Sequence, residues 1–452
     1  MTREDRSASV PRKGDKQAEE DLWQRHGAER GVWTENMLIA LERGIKGNKW
    51  FSLIDKVASD RTLGIAWEKV RFNAGACGVD NITVGHFSKD RQKRLLAVKE
   101  QLREGRYQPR EIRRVYIDKA GSREKRALGI PTVRDRVVQT ALKMVIEPIF
   151  EHKFAPNSFG FRPGRGCKDA LRKVERLLRE GKSHVVDVDI KGYFDNIPHE
   201  ALMRLVRNRI ADGRVLDLIE GFLKQGVLEN GMVIDPVTGS PQGGIISPLL
   251  ANIYLDPLDW MLESLGLHSA RYADDIVVLA EDAETAKNAL QQIREWMEEA
   301  GLELHPEKTR LVDMNEADAH FDFLGYRFKR SRKGRLLRLV RPKSKQKLRA
   351  SLKKPTKRCN GRSMEAIIAL VNPALQGWFE YFKHAQMSDL IPMDQWVRMR
   401  MRSILRKRHK GKGRGRGLDH LRWPNRYFEN LGLFSLELAR EELMSLRRGA
   451  KC

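Results

Sequence analysis

The stretch "RYADDIVVLA", residues 271 to 280, sets two adjacent carboxylates, Asp274 and Asp275, at the head of an unbroken run of mostly branched aliphatic residues. A run of that composition reads as a buried strand, and like charges crowded at its mouth repel unless a cation neutralises them. A second stretch, "HVVDVDIKGYFDNIPHE", residues 184 to 200, carries a matching pattern. In a strand, Asp187 and Asp189 project to one face while Val186, Val188 and Ile190 project to the other, and the chain then turns at Gly192. If "YADD" forms the tip of a hairpin beside this strand, Asp189 and Asp274 converge on one spot with Asp275 next to it. Alone, either motif reads as an exposed turn or a helix cap. Together they point to a shared cation.

Magnesium suits such an all-oxygen site, because it takes hard ligands in octahedral geometry and keeps positions for waters and substrate phosphates. Two such ions, roughly 3.5 to 4 Å apart, activate an attacking hydroxyl and stabilise a departing pyrophosphate in an in-line displacement. The chemistry expected is phosphoryl transfer.

The rest of the chain fits a polyanionic partner. Its 452 residues allow two or three domains, and a formal charge of +25 with 41% hydrophobic residues describes a folded protein with a basic surface. A basic peripheral membrane protein would share that balance, so charge by itself does not choose between them. No apolar stretch approaches the roughly 18 residues of a membrane span. The four cysteines, Cys77, Cys167, Cys359 and Cys452, are far apart with no Cys-x-x-Cys pair, as expected of ordinary thiols in a reducing, cytoplasmic setting.

Three zones follow one another. Residues from about 30 to 115 read as helical and basic, ending in two short strands around a Gly-Ser turn that carries Lys119, Arg123, Lys125 and Arg126. From about 130 to 328 strands alternate with amphipathic helices. One helix is clearly marked by Ala286, Ala289, Leu290, Ile293, Trp296, Met297 and Ala300, with Asp282 as N-cap and Gly301 as stop. After residue 328 a thirty-residue run holds fifteen Lys or Arg and no acidic residue. It reads as a linker with strand or helix pieces. Helices are expected around 363–371, 373–386 (opened by Asn372 and Pro373) and 393–408, the last packing one face and offering arginines to nucleic acid.

At this point the motifs resemble a known family. "YADD" with an upstream "DIKGYFD" is similar to the catalytic palm of reverse transcriptases. Further blocks resemble the bacterial group II intron reverse transcriptase and maturase family: "KRALGIPTVRDRVVQ" (125–139), "PNSFGFRPGRG" (156–166), "GSPQGGIISPLLANIYL" (239–255), "GLELHPEKT" (301–309), "FDFLGYRF" (321–328) and "NPALQGWFEYF" (372–382). The resemblance implies an α+β right-hand polymerase, with fingers and palm built on an antiparallel sheet packed by helices, followed by an α-helical thumb (maturase domain X). The expected division is a flexible tail over 1–30, fingers and palm over 31–328, thumb over 329–410 and a basic tail over 411–452.

The resemblance also implies site residues. Asp189, Asp274 and Asp275 would be catalytic and hold two Mg2+ ions. Lys119 and Arg126 match residues that grip the triphosphate of the incoming deoxynucleotide, Phe194 the gate against its 2′-hydroxyl, Gln242 a position against the nascent pair, and Lys308 a lysine near the palm site. Core packing is the plain alternative for Phe194, and surface charge for Lys119 and Arg126. Phe159, Phe161, Arg162 and Arg165 read either as a clamp on template or as a structural turn. Where members commonly have "RPLGIP", this chain has Ala127 after Arg126, which keeps the arginine. Paired cysteines and a His-rich nuclease motif are not found near the C-terminus, so the His-Asn-His endonuclease of longer relatives is expected to be missing.

The expected partners are group II intron RNA, a DNA primer and target DNA, and deoxynucleoside triphosphates, with no membrane and no protein partner evident. The function implied is RNA-directed DNA polymerisation together with maturase assistance to splicing and intron mobility. Two rivals stand beside it: an RNA-binding splicing cofactor without polymerase activity, and a reverse transcriptase domesticated for defence.

Overall fold

The computed structural model describes residues 23, 24, 26–118 and 125–449. They fall into two compact units, the first built from residues up to 117 and from 125–311, the second carrying residues 312 onward. Among the described residues the strands are β1 (Ile112–Asp118), β2 (Lys125–Ile130), β3 (His184–Asp189), β4 (Val227–Glu229), β5 (Met232–Ile234), β6 (His268–Tyr272), β7 (Asp275–Ala280), β8 (Arg310–Asp313), β9 (His320–Phe323), β10 (Tyr326–Arg330) and β11 (Leu336–Val340).

The first unit holds two four-stranded sheets. One has the order β6-β7-β3-β8, with β7 antiparallel to both β6 and β3. Its central strands are buried because Val185, Val186, Val188 and Ile276 to Leu279 leave almost nothing to water, which is the behaviour expected of unbroken aliphatic runs. The helix Ala283–Glu299 packs on this sheet through Ala286, Ala289, Leu290, Ile293 and Met297, and Asp282 accepts a hydrogen bond from the Thr285 backbone as its cap. The other sheet, β2-β1-β4-β5, includes a parallel pairing of β1 with β4 that aligns Ile112 with Val227. Helices Val133–Glu151 and Ser247–Ser264 run through one apolar core with the rest of the unit. Trp23 and His26 are buried in this unit, so the expected flexible tail does not extend to residue 30. Residues 1–22 lie outside the described residues.

The second unit joins a three-stranded sheet, β11-β10-β9, to helices Pro342–Lys353, Met364–Phe382, Met387–Arg408 and Leu436–Gly449. The composition break at 328 falls inside β10, whose register with β11 runs from Tyr326↔Val340 to Arg330↔Leu336. The expected break before Pro373 does not occur. Met364–Phe382 is one helix, because Ile367, Ile368, Val371 and Leu375 bury a continuous face across the proline. Asn372 caps nothing; its amide donates to the Gly432 carbonyl (2.7 Å) and accepts from the Phe434 N–H (3.0 Å). The helix expected to surround itself with arginine also buries two of them: Arg398 is 5% exposed and Arg402 is 2% exposed. Arg402 donates to the Trp423 carbonyl (2.8 Å), and Arg400 is pinned by Thr356 (2.6 Å). Of the expected basic tail over 411–452, the described residues 411–449 include helices that belong to this unit, with Asp394 receiving the N–H groups of Leu436 and Glu437. No described helix is long and apolar enough to cross a membrane.

One partly buried acid is expected to make stability pH-dependent. Asp256, in Ser247–Ser264, accepts the Ala155 N–H (3.0 Å), and burial pushes its carboxyl up to about 6. An unfolded aspartate titrates near 3.9, so the native state favours the proton, and this contribution to stability is full below about 4 and lost as pH rises through about 6. Asp256→Asn keeps an acceptor for Ala155 and removes the charge. We expect it to raise stability at pH 7.5 by about 1–2 kcal/mol, after allowance for solvent screening, and to give no gain near pH 4, as measured by urea unfolding at both values.

Candidate active site

The site forms where β3 ends beside the β6–β7 turn. The antiparallel register places Asp189 opposite Asp275, and the turn between Tyr272 and Asp275 consists of Ala273 and Asp274 alone. Asp189, Asp274 and Asp275 are therefore brought to one sheet end, as the two acidic stretches predicted. The carboxyl of Asp274 is raised above its ordinary value. Partial burial is the main cause and the Asp189 carboxylate adds to it, while its own backbone N–H and the charges of Arg126 and Arg271 oppose it.

Asp189 is gripped by the segment that follows the helix Ala283–Glu299. His305 N–H donates to the Asp189 carbonyl (2.8 Å). The Thr309 hydroxyl lies against both the N–H and the carbonyl of Asp189, at 3.3 and 3.2 Å. Lys308 Nζ donates to Asp189 Oδ1 at 3.4 Å, which supports the placement of Lys308 at the site. Asp187, two residues earlier, accepts from Arg310 (3.2 Å).

The turn is held from the other side by groups the sequence reading passed over. Arg271 is fully buried and donates from Nε to both oxygens of Asp259 (2.8 and 2.9 Å), from Nη1 to Asn252 (2.9 Å) and from Nη1 to the Ala273 carbonyl (3.1 Å). Ala273 has φ 57°, a left-handed conformation that costs a residue with a Cβ about 1 kcal/mol or more. Gly160 packs onto the turn so closely that a Cβ there would lie 2.4 Å from Ala273 N. A polar stripe in an otherwise apolar helix, Asn252, Asp256 and Asp259, was the available signal for this network.

The remaining predicted residues divide. Lys119 lies outside the described residues. Arg126 is exposed on β2, and its charge reaches Asp274. Phe194 is half-buried, edge-on to Tyr193 at 5.5 Å. Gln242 Nε2 donates to Asp195 Oδ2 (3.2 Å), beside Phe194 in the chain. In "PNSFGFRPGRG" the structural alternative holds for Phe159, which is buried, and for Arg162, buried against Glu151 with its guanidinium on the Ala155 and Ser158 carbonyls. Phe161 stays exposed.

Among the described residues no three acidic, imidazole or thiol groups meet as a ready-made metal cage. The donor chemistry nevertheless fits a hard cation. The site offers carboxylate oxygens, and the repulsion from Asp189 that adds to the effect of burial on Asp274 is of the kind a divalent ion relieves.

Residues 117–328 match the model for "Reverse transcriptase (RNA-dependent DNA polymerase)", and residues 345–423 match "Group II intron, maturase-specific domain". Protein YkfC of Escherichia coli K12 is 33% identical over 300 residues, covering 57% of this chain and 78% of that protein. The chain belongs to the group II intron-encoded reverse transcriptase and maturase family. The group II intron-encoded protein LtrA of Lactococcus lactis subsp. cremoris is 42% identical over 197 residues, 43% of this chain. An uncharacterized 91 kDa protein in the cob intron of Schizosaccharomyces pombe is 44% identical over 153 residues, 34% of this chain. The chain spans 32% of the length of LtrA and 19% of the cob intron protein. Family membership accounts for a reverse-transcriptase-like fold of mixed sheet and helix.

The Arg271 network sets a testable cost. Arg271→Met leaves Asp259 charged, buried and unpaired, and should destabilise the protein by about 3–5 kcal/mol. Arg271→Met with Asp259→Leu removes both charges and should regain more than half of that loss in urea unfolding.

Proposed function

We propose that this chain is an RNA-directed DNA polymerase of a group II intron, which copies intron RNA from a DNA primer and also binds that RNA to assist its splicing. The observation that carries the reading is the register that sets Asp189 opposite Asp275, with Asp274 on the two-residue turn beside them. Clustered carboxylates in a chain of charge +25 serve a protein that only binds phosphate poorly, and serve nucleotidyl transfer well. In this reading residues 31–328 form fingers and palm, 329–410 a thumb with domain X character, and the exposed basic residues contact RNA, primer and target DNA.

The primer 3′-hydroxyl attacks the α-phosphate of a deoxynucleoside triphosphate, the new phosphodiester forms, and pyrophosphate leaves. Asp189 and Asp274, with Asp275 beside them, would hold two Mg2+ ions, which when bound neutralise the carboxylates and polarise the reacting phosphate and hydroxyl. Lys308, already against Asp189, places a positive charge at the edge of the cluster. Arg126 and Lys119 bind the triphosphate through charge-assisted hydrogen bonds. Phe194 shapes the space beside the sugar and excludes a 2′-hydroxyl.

Primer extension on an RNA template with magnesium tests this. Asp274→Asn and Asp189→Asn should each lower extension by about 10³-fold or more with the fold intact. Phe194→Ala should raise ribonucleotide use relative to deoxynucleotide by roughly 10–100-fold. Equal extension by wild type and Asp274→Asn would exclude the assignment, and a folded wild type that binds intron RNA yet extends nothing would favour the splicing cofactor.

A further inference from the structure

We infer that Asp195 is a positioning residue that dictates which end of the Gln242 side chain faces the incoming nucleotide, so that Gln242 offers a hydrogen-bond acceptor there. The inference rests on the polymerase reading and deepens it.

The segment after β3 forms a short helix, Tyr193–Asn196, and continues extended through Ile197. The loop 238–242 is strapped along it. Ser240 N–H donates to the Phe194 carbonyl (2.6 Å), Gly239 N–H to the Ile197 carbonyl (2.8 Å) and the Thr238 hydroxyl to the Asp195 carbonyl (3.1 Å). The buried His199 sets Nε2 2.6 Å from the Gly239 carbonyl, which fixes Nε2 as the protonated nitrogen because a carbonyl only accepts. Gly239 has φ 93°, and a Cβ there would meet the Asp195 carbonyl oxygen at 2.7 Å, so the loop seats directly on the backbone of Asp195.

This seating decides the chemistry of Gln242. Its backbone carbonyl receives the Gly129 N–H of β2 at 2.6 Å, which ties it to the strand that carries Arg126. Its side-chain amide donates to Asp195 Oδ2 at 3.2 Å. A carboxylate has no proton to give, so only the NH2 end of an amide can face it, and the two ends of Gln242 are not interchangeable. The oxygen, Oε1, is left as the end turned away from Asp195. Partial burial raises the Asp195 carboxyl, and Arg114 and the Gln242 amide oppose that rise. Asp195 itself makes no contact with substrate in this arrangement; it acts through Gln242, whose place beside Phe194 and β2 is where the reading puts the nucleotide.

The test is steady-state primer extension by the full chain on an RNA template, with each deoxynucleotide titrated. Asp195→Asn lets the amide turn over, and should raise nucleotide KM by about tenfold while kcat changes by less than about twofold. Gln242→Glu sets two carboxylates face to face and should be worse. Asp195→Asn combined with Gln242→Glu rebuilds the hydrogen bond with donor and acceptor exchanged, again leaves an oxygen outward, and should bring KM back to within about threefold of wild type. A merely structural role would move melting temperature and kcat together rather than KM alone. Unchanged KM in Asp195→Asn, or a double variant no better than Gln242→Glu alone, overturns the inference while leaving the polymerase reading in place. A wild type inert toward every deoxynucleotide overturns both.

Discussion

Arg271, whose guanidinium has no access to water, joins three separate parts of the first unit. Its side chain reaches Asp259 and Asn252 on the helix Ser247–Ser264 and the carbonyl of Ala273 in the turn. Its backbone pairs with the 157–159 segment, donating to the Asn157 carbonyl and receiving the Phe159 N–H. Removing such a charge from water costs several kcal/mol, and the pair repays this only if every donor is satisfied. Here Asn252 completes the arrangement by also donating to the Gly160 carbonyl at 2.8 Å. The consequence is positional. A two-residue turn with a left-handed alanine has little reason to persist alone, and it persists because its carbonyl is held from beneath.

The same logic applies on the opposite side of the cluster. Asp189 ends β3 and would fray there, but Thr309 accepts from its N–H and donates to its carbonyl, and the His305 N–H donates to that same carbonyl. The acidic groups thus sit on backbone that is fixed from two directions by interactions outside the cluster. That separation matters physically. Carboxylates that repel one another would spread if their own contacts were all that positioned them, so the geometry is secured by Arg271 and by the 305–309 segment.

What the sequence disclosed follows from periodicity and from turn chemistry. Alternation in "VVDVD" and the aliphatic run after "YADD" predicted the hairpin beside β3, and the cap and spacing of the helix Ala283–Glu299 were readable because each signal is local. The Arg271–Asp259 pair was hidden for the opposite reason. Nothing local distinguishes an arginine that will be buried from one that will meet phosphate, and its partner lies on another element. The parallel pairing of β1 with β4 depends on residues more than a hundred positions apart, which no pattern within either strand encodes. At Pro373 a local rule gave the wrong answer, since the burial of Ile367, Ile368, Val371 and Leu375 outweighs one missing N–H. In "PNSFGFRPGRG" the mixture of aromatic and cationic groups suggested a nucleic-acid clamp, yet Arg162 is consumed by Glu151 inside the protein.

These buried arginines change what the net charge means. Arg162, Arg271, Arg398 and Arg402 are each at most 6% exposed, so none of them can release a counterion by meeting a phosphate. The salt dependence of nucleic-acid binding counts phosphates neutralised at the surface, with a slope of roughly 0.7–0.9 per contact. Under the proposed function it is therefore reasoned from exposed cations such as Arg126, Arg332, Lys333 and Arg414, because the formal charge of +25 includes internal guanidinium groups whose work is to hold the fold. The distinction also explains why arginine rather than lysine occupies those internal positions. A planar fork with five donors can satisfy a carboxylate and several carbonyls at once, as Arg162 and Arg271 do, where a single ammonium would leave buried acceptors unmatched.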